Sequence, residues 1–143
     1  KLYQENFGLK ATVVRFYNVY GPKQLTEGGY TTLIGKWLNN IRNNIICEIY
    51  GDGEKRRDFT HVDDIVDGLI KIMIWKEYDH VFELGRGKNY SINDVAKMLK
   101  IKPIYKEDKP GEAQETLADY SVAKHFLSWE PKRNLEDYIK EQL

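Results

Sequence analysis

The stretch Gly51-Asp52-Gly53-Glu54-Lys55-Arg56-Arg57-Asp58-Phe59-Thr60-His61-Val62-Asp63-Asp64-Ile65 lies near the middle of a chain of 143 residues. It opens on a Gly-Asp-Gly turn, passes through the charged run Glu54 to Arg57 and a short apolar-alternating segment, Phe59 to Val62, and ends in an acidic helix start. Two arginines beside a tight turn and a helix start make a candidate anion site, because a guanidinium grips phosphate through paired hydrogen bonds. The same residues also fit a turn carrying solvated charges. Asp63 and Asp64 open a helix expected to reach about Trp75, with Ile65, Val66, Leu69, Ile70, Met73 and Ile74 as its apolar face. Acids in a first turn complement the helix dipole, so both aspartates read as structural.

Upstream, Lys1 to Phe7 reads as the last turns of a helix, closed by Gly8 at a C-cap. Ala11 to Tyr20 is β-branched and aromatic and is bounded by Gly8 and Gly21-Pro22. It suits a strand buried in a parallel sheet. Asn18 falls at the carboxyl end of that strand, where open α/β sheets bind ligands. It fits a ligand contact or a turn that satisfies its own backbone equally well. Tyr30 to Asn43 carries Leu33, Ile34, Trp37, Leu38 and Ile41 at helical spacing, with Trp37 expected in the core. Ile45 to Tyr50 is a short strand.

Downstream, Val81 to Gly85 is a strand and Gly85-Arg86-Gly87 a turn. Ser91 with Asp94 predicts a capped helix through Leu99. Ile101 to Lys106 is a strand, Glu107 to Leu117 a loop around Pro110-Gly111, Ser121 to Leu127 a helix capped by Asp119 or Ser121, and Leu135 to the end a final helix. Strands alternating with helices give an α/β class.

Lysine plus arginine and aspartate plus glutamate number 22 each, so bulk charge favours neither nucleic acid nor a membrane surface as partner. The single cysteine, Cys47, sits among isoleucines and reads as a small buried hydrophobe. No apolar run approaches a membrane span and no secretory signal is visible, so a cytoplasmic location is expected. The chain begins without Met and inside a helix too short to stand alone. We therefore expect a piece of a longer protein.

Several chemistries lack their residues. Gly51-Asp52-Gly53 and Gly85-Arg86-Gly87 are each Gly-x-Gly without the third glycine of a dinucleotide fingerprint. Tyr105…Lys109 and Tyr120…Lys124 match Tyr-x-x-x-Lys, but the first runs through strand and loop and the second opens a late helix, so neither reads as a proton-transfer pair. His61, His80 and His125 have no helical metal-ligand spacing, and His61 reads as a strand-end residue.

Arg15-Phe16-Tyr17-Asn18-Val19-Tyr20-Gly21-Pro22 resembles the extended short-chain dehydrogenase/reductases, the NAD-dependent nucleotide-sugar epimerases and dehydratases. The resemblance continues at Ile49 to Gly53, Arg57 to Asp64, Val81 to Gly85, Pro110 to Glu112, Leu117 to Asp119 and Trp129 to Pro131, in the family's order and over nearly the whole chain. It implies the C-terminal half of a member. Residues 1–29 would end the NAD-binding Rossmann domain. Residues 30–143 would be mainly the smaller α/β substrate-binding domain, with 80–86 returning to the Rossmann sheet. The glycine fingerprint and catalytic Tyr-x-x-x-Lys would lie upstream, Lys1 being too close to Gly8 to be the motif lysine, so this portion alone should not turn over.

Residue by residue, the resemblance implies that Asn18 bonds sugar or diphosphate and that Phe16 and Val19 line the nicotinamide. Thr32 and Leu33 would reach the nucleotide, Glu48 to Tyr50 would flank the base, and Arg57 would pair with the diphosphate. Lys109 stands where many members carry Arg, Glu112 where they carry an acid facing the ribose, and Thr116 at a further substrate contact. Arg56 is expected to face solvent or pair with Glu54. The implied reaction is NAD-dependent oxidation at a sugar carbon, with hydride returned after rotation or elimination, in a homodimeric parent. A 4-epimerase is the first reading. A dehydratase or reductase of the family is the second, and a non-catalytic nucleotide-sugar-binding or interaction module is a reading of another class.

Overall fold

A computed structural model describes residues 2–78 and 80–143; the expectations for Lys1 lie outside the described residues. Helix α1 (Leu2–Phe7) ends at Gly8, whose φ of 64° and amide bond to Gln4 O form the expected glycine cap. The segment expected as one strand from Ala11 is two: β1 (Val13–Phe16) and β2 (Val19–Tyr20). The break has a conformational cause. Asn18 takes a φ of 27°, a region open to Asn at low cost but incompatible with a continuing strand.

After a loop, α2 (Leu33–Arg42) begins at the first of its periodic apolar residues, three residues after the expected Tyr30, because Thr32 caps it: its hydroxyl accepts from Gly35 N at 3.1 Å. Strand β3 (Glu48–Tyr50) is shorter than expected and leads into the Gly-Asp-Gly turn, with Gly51 and Gly53 at φ of 83° and 80°. The charged run then contains a strand that the sequence pattern does not announce, β4 (Arg56–Asp58). Strand β5 (Thr60–His61) leads directly into α3 (Val62–Trp75). The remaining elements are β6 (Val81–Leu84), β7 (Asn89–Ser91), α4 (Ile92–Met98), β8 (Ile104–Lys106), α5 (Ser121–Leu127) and α6 (Leu135–Gln142). Ser91 and Asp94 form the expected capping box on α4, whereas α5 begins after Tyr120 with Asp119 accepting from Ser121 N.

Among the described residues three strand pairs are parallel, β1 with β6, β2 with β5 and β3 with β8, while β4 and β7 are antiparallel. Val13 faces Val81 and Phe16 faces Leu84 across the first pair. One core gathers Trp37, Ile34, Ile49, Val95, Leu135 and Ile139 from α2, β3, α4 and α6, with Cys47 just before β3; a second gathers Ile65, Phe82, Leu84, Ala123 and Trp129 around β1 and β6. The architecture is α/β, and Trp37 and Cys47 are buried as their neighbours imply.

Helix α3 is the largest departure from the expected packing. Of its expected apolar face only Ile65 is buried; Val66, Leu69, Ile70, Met73 and Ile74 are 39–71% exposed. The helix meets the second core through Gly68, where an added Cβ would lie 2.6 Å from the Leu84 side chain. A surface without a side chain lets helix and strand approach closely, and this turns the apolar stripe outward. At its start, His61 caps the helix, Nδ1 accepting from Asp63 N at 3.1 Å. Asp64 is buried and accepts from Arg133 N, while Asp63 pairs with the Arg133 guanidinium, so both acids have the structural roles expected of them.

Candidate functional site

Asp58 organises the region around the charged run. It is fully buried, and its two oxygens accept from three backbone amides, Arg86 N at 2.8 Å, Gly87 N at 2.8 Å and Ala118 N at 3.0 Å. A buried carboxylate held this way ties β4 to the turn after β6 and to the segment before α5. Above it, Asp58 N donates to the Thr116 hydroxyl, and the Asn18 amide donates both to Asp58 O at 3.0 Å and to the Thr116 hydroxyl at 3.2 Å. These bonds fix Asn18 with its side-chain carbonyl left for a ligand. Asn18 thus does what both of its readings required: it satisfies local backbone, and it lines a cavity.

That cavity has a volume of about 340 Å³. Its walls come from six parts of the chain: Asn18 and Val19 at the β1–β2 break, Thr31 to Ile34 at the start of α2, β3, Lys55, Arg57 and Phe59 around β4, Ile92 of α4, and Glu112. Eight residues singled out from the sequence meet here: Asn18, Val19, Thr32, Leu33, Glu48, Tyr50, Arg57 and Glu112. Phe16, Lys109 and Thr116 are not among the lining residues. Phe16 is half exposed at the end of β1, the Thr116 hydroxyl accepts from the Asn18 amide and from Asp58 N, and the Lys109 ammonium stands 3.7 Å from the centre of the Tyr50 ring.

The cavity wall is polar and charged on one side. The Arg57 guanidinium donates to Arg56 O and lies 3.9 Å from Glu112. Arg56 points away, into Asn89 at 2.8 Å and toward Asp94; the expected alternatives, solvent or Glu54, give way because β4 pairs with β7 and presents alternate side chains to opposite faces. The Thr32 hydroxyl is used by Gly35 N and by Gln24, so the first turn of α2 offers a ligand its backbone amides. Glu48 accepts from the Tyr50 hydroxyl at 3.2 Å.

Sequence reasoning missed Lys55, which lines the cavity and is 5% exposed. Its ammonium bonds the Asp108 carboxylate and lies 3.2 Å from Glu112. The hydrogen bond to Asp108 is the main cause holding its pKa above the ordinary lysine value, and the same bond holds Asp108 below the ordinary carboxylate value. Only the unusual placement of a lysine inside the turn-to-strand junction hinted at this. The two Tyr-x-x-x-Lys matches do not assemble: the Tyr105 hydroxyl donates to Asn93 while Lys109 stands over Tyr50, and Lys124 pairs with Glu130. Among the described residues no group of three or more His, Cys, Asp or Glu could hold a metal ion, and no helix is long and apolar enough to cross a membrane.

Comparison with known proteins gives a consistent result. The family model for the NAD dependent epimerase/dehydratase family matches residues 1–85. The UDP-glucuronate 4-epimerase of Thermodesulfobacterium geofontis is 35% identical over 145 residues, covering 96% of this chain and 43% of that protein. The crystal structure of UDP-glucose 4-epimerase from Thermotoga maritima with UDP-glucose superposes with a TM-score of 0.90 at 34% identity, over 97% of this chain and 46% of that one. UDP-glucuronic acid 4-epimerase from Bacillus cereus, in complex with UDP-glucuronic acid and NAD, gives 0.84 at 26% identity over 99% and 46%. The chain therefore spans under half the length of the relatives it matches.

Proposed function

Because the chain belongs to the NAD dependent epimerase/dehydratase family, we propose that it forms the C-terminal, nucleotide-sugar-binding portion of an NAD-dependent nucleotide-sugar epimerase. In this reading residues 1–29 and 80–86 belong with the cofactor domain and residues 30–143 mainly with the substrate domain. The reading is carried by one observation: a cavity that combines the Arg57 guanidinium, the first-turn amides of α2 and the Asn18 carbonyl with an apolar floor of Val19, Ile34 and Phe59. Guanidinium and helix amides suit a diphosphate, and apolar walls beside Tyr50 suit a base.

Phe16 and Val19 fit the cofactor's place. Both are apolar: Val19 lines the cavity, and Phe16, at the carboxyl end of the parallel strand β1, is half exposed and would offer a flat surface to a nicotinamide. NAD, when bound, supplies the hydride acceptor and donor at the sugar carbon. The residues of this chain hold the other end of the substrate. Arg57 and the α2 amides would neutralise the diphosphate, Asn18 would accept from a sugar hydroxyl through its carbonyl, and Glu112 would accept from ribose hydroxyls. Fixing the diphosphate restricts the sugar to the few positions from which hydride transfer is possible. The catalytic tyrosine and lysine of the family are assigned to no residue here, so residues 1–143 alone should show no NAD-dependent turnover, and observed turnover would overturn that division of labour.

A titration of UDP-, GDP- and dTDP-sugars tests the site. One of them should bind saturably, and Arg57→Ala should weaken it by about 1.5–3 kcal/mol, the cost of losing a charged hydrogen bond. Equal affinity in the variant would remove Arg57 from the site. The relatives with 4-epimerase names favour an epimerase over a dehydratase or reductase.

A further inference from the structure

Residues 107–113 have no helix or strand and are exposed throughout. Gly111, at a φ of 84°, has no atom within 4 Å of where a Cβ would stand, so the tip of the segment packs against nothing. Yet the segment supplies Glu112 to the cavity wall. Its main attachment is a buried cation: the Lys55 side chain is 6% exposed and is met by both Asp108 and Glu112, with the Arg57 guanidinium more distant, 3.9 Å from Glu112. The seat for Asp108 is also shaped. Its carboxylate lies against Gly51, where a Cβ would stand 3.1 Å from the carboxyl carbon. Lys109 adds a lesser tie over the Tyr50 ring.

A buried ammonium is tolerated when its charge is matched and its hydrogens are used, and both conditions are met here only while the segment stays in place. Resting on the nucleotide-binding reading above, we propose that Lys55 is a positioning residue: it latches residues 107–113 against the body and thereby sets Glu112 in the cavity wall. Asp108 is the half of the latch that does not line the cavity. The consequence is specific. Loosening the latch from either side frees the segment, and a ligand that uses Glu112 then pays the cost of ordering it again.

The test uses two variants, Lys55→Gln and Asp108→Asn, with two readouts each. Backbone order parameters from 15N relaxation should fall for residues 107–113, from about 0.8 to below about 0.6, with the rest of the chain unchanged. UDP affinity should fall by a similar factor in both variants, roughly 3- to 10-fold, as expected for re-ordering a few side chains and backbone angles. Unchanged order parameters in both variants would overturn the latch. Affinity lost in Lys55→Gln but kept or improved in Asp108→Asn would mean that Lys55 contacts the ligand directly, which overturns a positioning role. If the unaltered chain binds no UDP, the nucleotide-sugar reading fails, while the order parameters still decide the latch.

Discussion

Asp58 carries more of the local structure than any other single side chain in the motif. Three backbone amides from two distant segments converge on its carboxylate. Asp58→Asn keeps the shape but must turn a donor toward at least one amide. Urea denaturation of this variant should show a loss of about 2–3 kcal/mol, the scale of a charged hydrogen bond replaced by an unsatisfied donor. A second residue-scale test concerns Tyr17, which donates to Glu83 at 2.7 Å. Burial, followed by that hydrogen bond, pushes the Tyr17 pKa up to about 12; Glu83 is held below the ordinary carboxylate value by the Tyr17 hydroxyl and the Asp119 amide, which outweigh its burial. The linkage has a definite sign on each side. A raised tyrosine pKa contributes stability that is lost as pH climbs from 10 toward 12, and a depressed glutamate pKa contributes stability that is lost as pH falls through the folded value below 4.5. Tyr17→Phe should therefore cost about 1 kcal/mol between those limits and progressively less outside them, as read from denaturation at several pH values.

At the scale of elements, the start of α2 and the start of α3 are each fixed by a capping side chain, Thr32 and His61. Thr32→Val should destabilise by about 1 kcal/mol through loss of the cap, and should also weaken ligand binding by loosening the first-turn amides. His61 can cap α3 only while its Nδ1 is unprotonated, and burial is the main cause lowering its pKa. A depressed histidine favours the folded state above its ordinary value of 6.5 and forfeits that stability as pH falls through the folded value. Stability should thus decline as pH falls below 6.5, and His61→Asn, which retains an accepting cap, should flatten that decline. The long helices and the strands rich in β-branched residues were legible because their apolar residues repeat at the period of the element. Strand β4 was not, because Arg56, Arg57 and Asp58 look like a solvated run until β7 and the 116–118 segment supply their partners. The buried state of Lys55 was hidden for the same reason: its carboxylates lie 53 and 57 residues away.

At the scale of the molecule, two cores share the chain, and the outward stripe on α3 belongs to neither. Val66, Ile70, Met73 and Ile74 recur at helical spacing and are at least 46% exposed. An apolar stripe of this length promotes association. Sedimentation should show concentration-dependent self-association of the 143-residue chain, reduced in a variant carrying Ile70→Lys and Met73→Lys; a strictly monomeric chain at high concentration would contradict this. The family resemblance was legible in seven short motifs, and eight of the eleven residues the resemblance singled out line one cavity. The other three sit just outside it, because motif position specifies a neighbourhood in the fold and leaves the final direction of a side chain to packing.

The central claim is that this cavity holds the nucleotide diphosphate. A 15N-resolved NMR titration of the chain with UDP tests it directly. Shift changes should saturate with a single affinity and concentrate on Asn18 and Val19, Thr31 to Ile34, Glu48 to Tyr50, Lys55 to Arg57 and the 108–112 segment. Changes confined to the second polar hollow formed by His61, Arg133, Asn134, Asp137 and Tyr138, or no saturable change at all, would contradict the account.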